Sequence, residues 1–313
     1  MIRLVELFSG IGAFSKALTN LGIPHERIAM CEIDPHAIRV YEALHGPTPN
    51  LGDISKVDRL PDCNLLTYSF PCQDLSNAGK RAGMSKGSGT RSGLLWDVER
   101  LLLDARERRT ECHLPKHLIM ENVDAILYKA NFPDFESWIR SLTKMGYTSS
   151  YAVLNACDYG VPQNRKRCFM VSSLGHDRLV FPQPCPDKRF LKDVLEDDVS
   201  EKYYLSEKAM EGLKAHKARH DAKGHGFGFK ITDPERERAG TVKTNSGWRH
   251  TDTFIEVPEV EPRAELMHVA DLQTSYETSG RVYSANGYSP AINTCGGGDR
   301  HPKILTRGNT DGE

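Results

Sequence analysis

The sequence predicts an α/β fold, with a doubly wound, mostly parallel sheet followed by a smaller irregular lobe. Short β-type runs alternate with amphipathic helical stretches over the first half of the 313 residues. A helix between two strands returns the chain to the same edge of the sheet, so this alternation predicts parallel strands with helices on both faces. From about Gly175 onward the content of Pro, Gly, His and charged residues rises, which is typical of irregular loops.

The apolar runs give the expected order of elements. Strands are predicted at 3–8, 27–33, 64–70, 117–123, 149–156 and 168–174. Helices are predicted at 13–22, 34–46, 94–106, 134–146 and 206–220. The organisation that follows is a large domain over 1–174, a second lobe over 175–280 and a return segment over 281–313.

Composition excludes several classes of protein. Apolar residues make up 39% of the chain and charged residues 27%, a balance that gives a globular protein an ample core. No apolar run approaches the ~20 residues of a membrane span. The opening "IRLVELF" is too short and too quickly charged for a signal peptide. The eight cysteines are scattered without a CxxC pair. We therefore expect neither a zinc site nor a disulfide framework, and free thiols suit a reducing cytoplasm.

Charge is informative over one segment only. The net charge of −1 averages over all faces of the molecule. Between Val161 and His250, however, 18 Lys and Arg stand against 13 Asp and Glu, with five His in addition. This mildly basic segment permits a surface that faces phosphate groups.

A glycine-containing turn joins the first strand to the first helix. "ELFSGIGAFSKAL" places Gly10 and Gly12 where a ligand can approach the backbone and a helix N-terminus. Glu32 ends the second strand about 20 residues later, where a carboxylate meets ribose hydroxyls in doubly wound folds. Asp53 follows at the end of the next β-like run, suited to accept from an adenine amino group. The nucleotide fingerprint is incomplete, because Ser15 occupies its last position. An adenosine without a pyrophosphate is therefore expected, and S-adenosylmethionine fits. The alternative is that the glycines are plain turn residues and Glu32 is a surface charge.

A cysteine follows a proline at a strand end. "SFPCQDLSNAGK" places Cys72 after Phe70 and Pro71, at the edge where open α/β sheets bind their ligands. A long polar stretch follows at 73–93, and its length and composition are typical of a functional loop or lid. Cys72 is therefore a candidate nucleophile, acting as a thiolate. The alternative is a buried thiol that fills space.

Two further motifs bring polar side chains to the same region. "MENV" turns from apolar to Glu121 at a strand end, on the rim expected for Cys72, and a protonated glutamate there can donate to a ring nitrogen. "QNRKRCF" places Arg165 and Arg167 on one face of an extended segment, where paired guanidinium groups suit a phosphate or a carbonyl oxygen. The alternatives are a solvated charge at Glu121 and an ordinary basic loop.

Together, these motifs resemble those of a known family. "ELFSGIGAFSKAL", "SFPCQDLSNAGKRAG", "MENV" and "GVPQNRKRCF" are similar, in order and spacing, to motifs of the cytosine-C5 DNA methyltransferases. "GRVYSANGYSPAINTCGGG" (280–298) looks like a later motif of that family. The resemblance implies a Rossmann-like, S-adenosylmethionine-dependent catalytic domain over 1–174. It also implies a target-recognition domain over 175–280 and a return segment towards the catalytic domain over 281–313.

The resemblance also implies a role for each matching residue. Cys72 would be the thiolate that attacks C6 of cytosine, and Glu121 would hold and protonate N3. Arg165 would contact the base carbonyl, and Arg167 would help to organise the site. The cofactor site would be lined by Phe8, Gly10, Gly12, Glu32, Asp53, Ile54 and Pro71. The DNA contacts would include Gln73, Ser76, Arg236, Arg238, Lys243, Trp248 and Arg249.

The partners implied are duplex DNA and, in a restriction-modification system, a cognate restriction endonuclease. The target base must be flipped out of the duplex, at a cost of roughly a few kcal/mol. The expected location is the cytoplasm, in association with the nucleoid through DNA, with neither a membrane nor a metal involved.

The sequence departs from the family at its end. Family members usually continue into an Asn-Ser-Val type segment and a helix that completes the cofactor pocket, whereas this sequence ends at "TRGNTDGE". We therefore expect that a second chain supplies the segment or that the enzyme is truncated and weak. Two alternatives stay open, a tRNA cytosine-C5 methyltransferase and a DNA-binding subunit that is inactive without a partner chain. The second lobe favours DNA over tRNA, and the intact catalytic positions favour an enzyme.

Overall fold

A computed structural model gives the structure of the chain in two units. It describes residues 1–72, 75, 84–87, 89–108, 113–175, 179–185, 188–196, 199, 204–224, 229–241, 253–255, 282–284 and 303–305. The first unit comprises Met1–Asn155 and Lys166–Gln183, and the second comprises Ala156–Arg165 and Pro184–Glu313.

The first unit is built on a six-stranded sheet. Its strands are β1 (Ile2–Leu7), β2 (His25–Cys31), β3 (Leu65–Tyr68), β4 (His117–Val123), β5 (Tyr147–Asn155) and β6 (Lys166–Leu174), in the order β2-β1-β3-β4-β6-β5. The four strands from β2 to β4 pair in parallel, and β6 runs antiparallel to both of its neighbours. A parallel crossover needs about a dozen residues or more, and the connection from β5 to β6 is shorter. The predicted mostly parallel, doubly wound fold is confirmed, with β6 as the exception to the strand–helix alternation.

Four helices connect these strands. They are α1 (Ala13–Asn20), α2 (Pro35–His45), α3 (Leu95–Glu107) and α4 (Phe132–Lys144), and each lies within two residues of its predicted ends. The α2 helix begins at a proline, which needs no hydrogen-bond donor in the first turn. The side chain of Asp34 caps it by accepting from the backbone N–H of His36 at 2.8 Å. The α4 helix begins before its predicted start because Pro133 suits the same first-turn position.

Part of the core lies between β3 and α4. Tyr68 and Trp138 are fully buried, and the indole Nε1 of Trp138 donates to the Tyr68 hydroxyl at 3.1 Å. Their rings meet edge to face with centroids 6.1 Å apart, a geometry that adds about 0.5–1.5 kcal/mol beyond burial alone. The last residue of β3 is thereby anchored just before the segment that carries Cys72.

The strand order creates a point where the connections change direction. From β1 the chain moves outward to β2, and it then returns past β1 to β3 on the other side. In open α/β sheets, ligands bind in the crevice at the carboxyl ends of two such strands. Residues that follow β1 and β3 are therefore expected to line one site.

Asp53 does not follow a strand, which corrects the prediction. The residues before it form only an isolated bridge, between Met30 and Asn50. Asp53 instead begins a 3-10 turn, Ile54–Lys56, and its carboxylate accepts from the backbone N–H of Ser55 at 3.0 Å. A short acceptor side chain favours such a capping position over a strand.

The described part of the second unit has one α-helix of 15 residues and two short pairs of strands. These are α5 (Glu207–Asp221), the parallel pair β7 (Ile231–Thr232) and β8 (Phe254–Ile255), and the parallel pair β9 (Val282–Ser284) and β10 (Lys303–Leu305). The α5 helix confirms the prediction at 206–220 and follows Ser206, whose hydroxyl accepts from the backbone N–H of Ala209 at 3.3 Å. Within the described residues, no helix has the length and apolar character needed to cross a bilayer.

Candidate active site

Residues 8–12 form the turn after β1, which we call the glycine loop. Phe8, Gly10 and Gly12 have φ values of 55°, 54° and 79°, in the left-handed region. A Cβ added to Gly12 would lie 2.5 Å from Nε2 of His45, so packing as well as backbone conformation requires glycine there. A Cβ added to Gly10 would meet no atom within 4 Å, which leaves space over its backbone. The loop is tightly packed on one side and open on the other.

Glu32 holds the glycine loop. Its Oε2 accepts from the backbone N–H of Gly10 at 2.9 Å, and its Oε1 accepts from those of Ile33 and Asp34 at 2.9 Å each. A carboxylate offers about four lone-pair positions, so one remains for a further donor. Glu32 is therefore more than a surface charge.

A second carboxylate fixes the start of α1 from within the sheet. Glu6 is 1% exposed, and it accepts from the backbone N–H of Ser15 at 3.1 Å and from the Ser15 hydroxyl at 2.6 Å. The Tyr41 hydroxyl also donates to Glu6, at 2.6 Å. Burial, followed by the negative charge of Glu6, raises the pKa of that hydroxyl. The helix has no side-chain cap at Gly12, and Glu6 supplies the missing acceptor.

Asp53 and Ile54 lie on the next turn along the chain. The Ser55 hydroxyl donates to Asp53 at 2.8 Å, and this bond and the adjacent backbone N–H lower the pKa of the carboxyl group. The side chain of Ile54 belongs to the hydrophobic core, at 3% exposure. Asp53 thus presents a carboxylate with one oxygen already paired locally.

Two features of the glycine loop fit a polar ligand. The hydroxyl of Ser9 is buried and has no hydrogen-bond partner among the described residues. Buried polar groups are normally paired, and this hydroxyl is an exception within the described residues. The open side of Gly10 and the spare position on Glu32 fit the polar groups of S-adenosylmethionine.

Residues 70–72, which we call the cysteine segment, follow β3 and are held by two side chains. Asn122 Nδ2 donates to the backbone carbonyl of Phe70 at 3.0 Å, and the hydroxyl of Ser92 donates to that of Pro71 at 2.7 Å. Asn122 is 2% exposed and Ser92 is fully buried, so neither bond competes with solvent. The two carbonyls that precede Cys72 are therefore fixed by side chains from β4 and from the turn before α3.

Cys72 differs from the buried cysteines of the sheet. Cys31 and Cys168 are buried, and burial raises the pKa of each thiol to about 12. Cys72 is only partly buried. A thiol that must act as a thiolate needs such access to polar surroundings.

Glu121 lies beside Arg167 at the ends of β4 and β6. Arg167 Nε lies 3.0 Å from Glu121 Oε1, and both side chains are mostly buried, at 17% and 24% exposure. The antiparallel register places Val123 opposite Arg167, so the pair is a diagonal contact across the two strands. Charged groups that are this far removed from water are held in a defined geometry.

The other predicted contacts lie in the second unit or outside the described residues. Arg165 is partly buried, and its carbonyl accepts from the backbone N–H of Ala156 at 3.1 Å. Arg236 lies 4.0 Å from Asp233, and the guanidinium of Arg238 lies 5.9 Å from the centroid of the Phe190 ring. The predicted DNA contacts Gln73, Ser76, Lys243, Trp248 and Arg249 lie outside the described residues.

Sequence reasoning missed three residues that organise this site. Glu6, Ser92 and Asn122 hold the backbones on which the candidate groups lie. Asn122 is adjacent to Glu121 in a quoted motif, which is a usable signal, whereas nothing distinguishes Ser92 from the other serines of its stretch. Over the described residues, no group of three or more His, Cys, Asp or Glu side chains is arranged to hold a metal.

Known proteins are similar to this chain in sequence and in fold. The family model described as "C-5 cytosine-specific DNA methylase" matches residues 2–294. "Type II methyltransferase M.NlaX" of Neisseria lactamica is 32% identical over 266 residues, which cover 84% of this chain and 82% of that protein. "Orphan methyltransferase M.SssI" of Spiroplasma monobiae is 48% identical over 147 residues, 47% of this chain and 37% of that protein. The crystal structure of S. pombe Dnmt2 methyltransferase has a TM-score of 0.61 at 19% identity, covering 84% of this chain and 78% of that chain, a likeness of fold.

The family match therefore covers both the strand ends that carry Cys72 and Glu121 and most of the second unit. With this match and a relative at 32% identity over most of both proteins, the chain belongs to the C-5 cytosine-specific DNA methylase family.

Proposed function

We propose that this chain transfers the methyl group of S-adenosylmethionine to C5 of a flipped-out cytosine in duplex DNA, through a covalent bond between Cys72 and C6. One observation carries the proposal. Cys72 follows β3, Glu121 lies near the carboxyl end of the neighbouring parallel strand β4, and the Asn122 side chain ties the two strand ends together. Parallel strands bring their carboxyl ends to one edge of the sheet, so a nucleophile and a carboxyl group are available to the same base.

The glycine loop and its neighbours would hold the cofactor. Glu32 has a lone-pair position left for a ribose hydroxyl, and the open side of Gly10 leaves room for the polar tail. The remaining proposed contacts are Phe8, Gly12, Asp53, Ile54 and Pro71. When bound, S-adenosylmethionine supplies an electrophilic methyl group for C5.

Cys72 makes that uptake possible. Its thiolate gives an electron pair to C6, which forms the C6–S bond and moves ring electrons towards N3 and C5. Glu121 offsets the charge at N3 by sharing a proton that its carboxylate takes up from solvent when the base binds. After C5 is methylated, water takes the C5 proton and the N3 proton returns to Glu121. The electrons of the C5–H bond form the C5–C6 double bond as the C6–S bond breaks, which releases the thiolate.

The arginines have complementary parts in this proposal. Arg167 fixes the orientation of the Glu121 carboxyl group through the 3.0 Å contact. Its Nη1 donates to the backbone carbonyl of Lys166 at 2.7 Å, which also holds the guanidinium in place. Arg165 is proposed to contact the base carbonyl, and Arg236 and Arg238 of the second unit to contact DNA.

The family and its relatives support DNA as the substrate. The names of the relatives favour neither presence nor absence of a partner endonuclease, since one is called type II and another orphan. We propose that the second unit carries target recognition.

The test is methyl transfer from tritiated S-adenosylmethionine. Unmethylated duplex DNA and transcribed tRNA serve as parallel substrates, and Cys72→Ser is the matched control. We expect label in DNA cytosine with the wild type and a fall of more than about 10³-fold in the variant. Label in tRNA alone would replace DNA as the substrate. Equal transfer by both proteins would overturn the covalent mechanism, and DNA binding without any transfer would favour an inactive subunit.

A further inference from the structure

A basic cavity of about 570 Å³ lies wholly within the second unit. Four cationic side chains line it, Lys188, Lys230, Arg236 and Arg238, against one acid, Glu237. Its volume lies in the range of pockets that hold small ligands, about 300–1,000 Å³. All ten residues that line it belong to the second unit, whereas the cysteine segment and the glycine loop belong to the first.

The acid of this cavity is already engaged. Lys230 forms an ion pair with Glu237, whose carboxylate also accepts from the backbone N–H of Asp233 at 2.8 Å. Arg236 faces the Asp233 carboxylate at 4.0 Å. Lys188 and Arg238 have no carboxylate partner among the described residues. Two cations in one cavity repel each other, and an anion placed between them would be attracted by both.

The walls of the cavity are held by the protein itself. The backbone N–H of Asn164 donates to the carbonyl of Ala239 at 2.8 Å, and the Thr241 hydroxyl donates back to the Asn164 carbonyl at 2.6 Å. On the other side, the backbone N–H of Leu191 donates to the carbonyl of Glu237 at 3.1 Å. The segments around Asn164 and Leu191 are thus tied to the segment that carries Arg238, so the cavity is formed before any ligand arrives.

Arg238 is held in place beside an aromatic ring. Its guanidinium lies over the Phe190 ring at 5.9 Å, and its Nε donates to the carbonyl of Arg189 at 3.4 Å. A stacked guanidinium keeps further donors in a fixed fork that matches phosphate oxygens.

We propose that this cavity holds a phosphodiester group of a DNA strand, with Lys188 and Arg238 as its two contacts. The proposal rests on the DNA methyltransferase function proposed above and deepens it. Contacts to phosphate position a protein on DNA and carry no sequence information directly. Arg238 is therefore assigned to the DNA backbone and not to base reading.

The test measures the salt dependence of DNA affinity. Fluorescence anisotropy of the full chain with labelled duplexes of two unrelated sequences gives the slope of log K against log salt. Each phosphate contact contributes about 0.9 to that slope on duplex DNA. We expect Lys188→Gln and Arg238→Gln each to reduce the slope by about 0.9, by the same amount on both sequences. Lys188→Glu is a second variant at an exposed position, where a failure to fold is not expected.

Lys192→Gln is the matched control, because it removes the same charge from the same segment but at a lysine that pairs with Glu235. An unchanged slope in both Lys188 variants, or a loss confined to one sequence, would overturn the proposal. Binding of inorganic phosphate that is lost in Lys188→Gln, while the duplex slope of that variant is unchanged, would show a free-phosphate site and would overturn it as well. Methyl transfer by the wild type is measured on the same DNA. If the wild type methylates DNA but the Lys188 variants keep its slope, only the phosphate contact is wrong. If the wild type neither binds nor methylates DNA, the proposed function is wrong as well.

Discussion

The glycine loop after β1 and the cysteine segment after β3 are anchored by opposite chemistry. The glycine loop and the start of α1 are held by carboxylates that accept from backbone N–H groups, Glu32 from Gly10 and Glu6 from Ser15. The cysteine segment is held by side chains that donate to backbone carbonyls, Asn122 to Phe70 and Ser92 to Pro71. Two neighbouring strand ends are thus fixed by acceptors in one case and by donors in the other.

Backbone conformation accounts for the difference. The glycine loop leads into a helix whose first N–H groups have no intrahelical partner, and its φ values are positive. Acceptor side chains therefore pair with these N–H groups. The cysteine segment contains Pro71, which has no N–H, so its unpaired groups include carbonyls, and donor side chains satisfy them. The chemistry of each anchor follows from which backbone groups the local conformation leaves unpaired.

Glu6→Gln is expected to have the largest effect on stability. Three groups donate to the Glu6 carboxylate, the backbone N–H and hydroxyl of Ser15 and the hydroxyl of Tyr41. The glutamine amide would replace one acceptor oxygen with a donor and leave buried groups unpaired. The free energy of unfolding should fall by about 3 kcal/mol, measured by urea denaturation. Tyr41→Phe, which removes one donor and keeps the carboxylate, should cost about half as much. Equal stability of Glu6→Gln and the wild type would show that the carboxylate does not anchor α1.

Asn122→Ala should have the second-largest effect on stability. It removes the donor to the Phe70 carbonyl and the acceptor of the Val123 N–H, both buried or partly buried, at a cost of about 2 kcal/mol. Because the cysteine segment loses one of its two anchors, kcat should fall while the Kd for S-adenosylmethionine stays near that of the wild type. Asn64→Ala is the control, since this asparagine also donates to a backbone carbonyl, that of Met1, and accepts from a backbone N–H, that of Arg3, but just before the start of β3. A fall in cofactor affinity equal to the fall in kcat would contradict a role confined to the cysteine segment.

The same contrast explains how much was predictable from the sequence. The helices and strands of the sheet follow from apolar periodicity, and Cys72, Glu121 and Glu32 follow from their positions at strand ends. The roles of Glu6 and Ser92 are not predictable in this way. Each depends on a backbone group elsewhere in the chain, and no local pattern encodes that partner. The β-like residues before Asp53 predict a strand there, but the capping preference of the Asp53 side chain prevails.

Ser92→Ala should have a smaller effect. The bond from its hydroxyl to the Pro71 carbonyl is a single neutral hydrogen bond, so its loss should cost about 1 kcal/mol of stability. If all of that is lost from the transition state, kcat falls by somewhat less than ~10-fold. Alkylation of Cys72 by iodoacetamide over a range of pH would report its reactivity directly. Ser92→Thr, which keeps the hydroxyl, is expected to restore part of the rate. If Ser92→Thr folds normally and its kcat is no higher than that of Ser92→Ala, the fall in kcat comes from altered packing and not from the lost hydrogen bond.

Asp53→Asn is expected to have the smallest effect on stability. The pH dependence of that effect tests whether the charge of the Asp53 carboxylate helps to hold its turn. Hydrogen bonds from Ser55 hold the pKa of Asp53 below its ordinary value of 3.8 in the folded protein. The ionised group therefore contributes stability that is fully present above pH 3.8 and is lost as the pH falls through the lower folded value. Its exposure limits the contribution to a few tenths of a kcal/mol.

Asparagine keeps the capping acceptor and removes only the charge. The stability difference between wild type and Asp53→Asn should thus shrink to zero on acidification, because every other titrating group is common to both. Asp53→Ala, which also loses the acceptor, should remain less stable even at low pH, since a protonated carboxyl group still caps the turn. Urea denaturation of the three proteins between pH 7 and the acid limit of the folded state measures both differences. A deficit of Asp53→Asn that does not change with pH would mean that the charge has no part in the anchor, and that a hydrogen-bond acceptor alone is what this backbone turn requires.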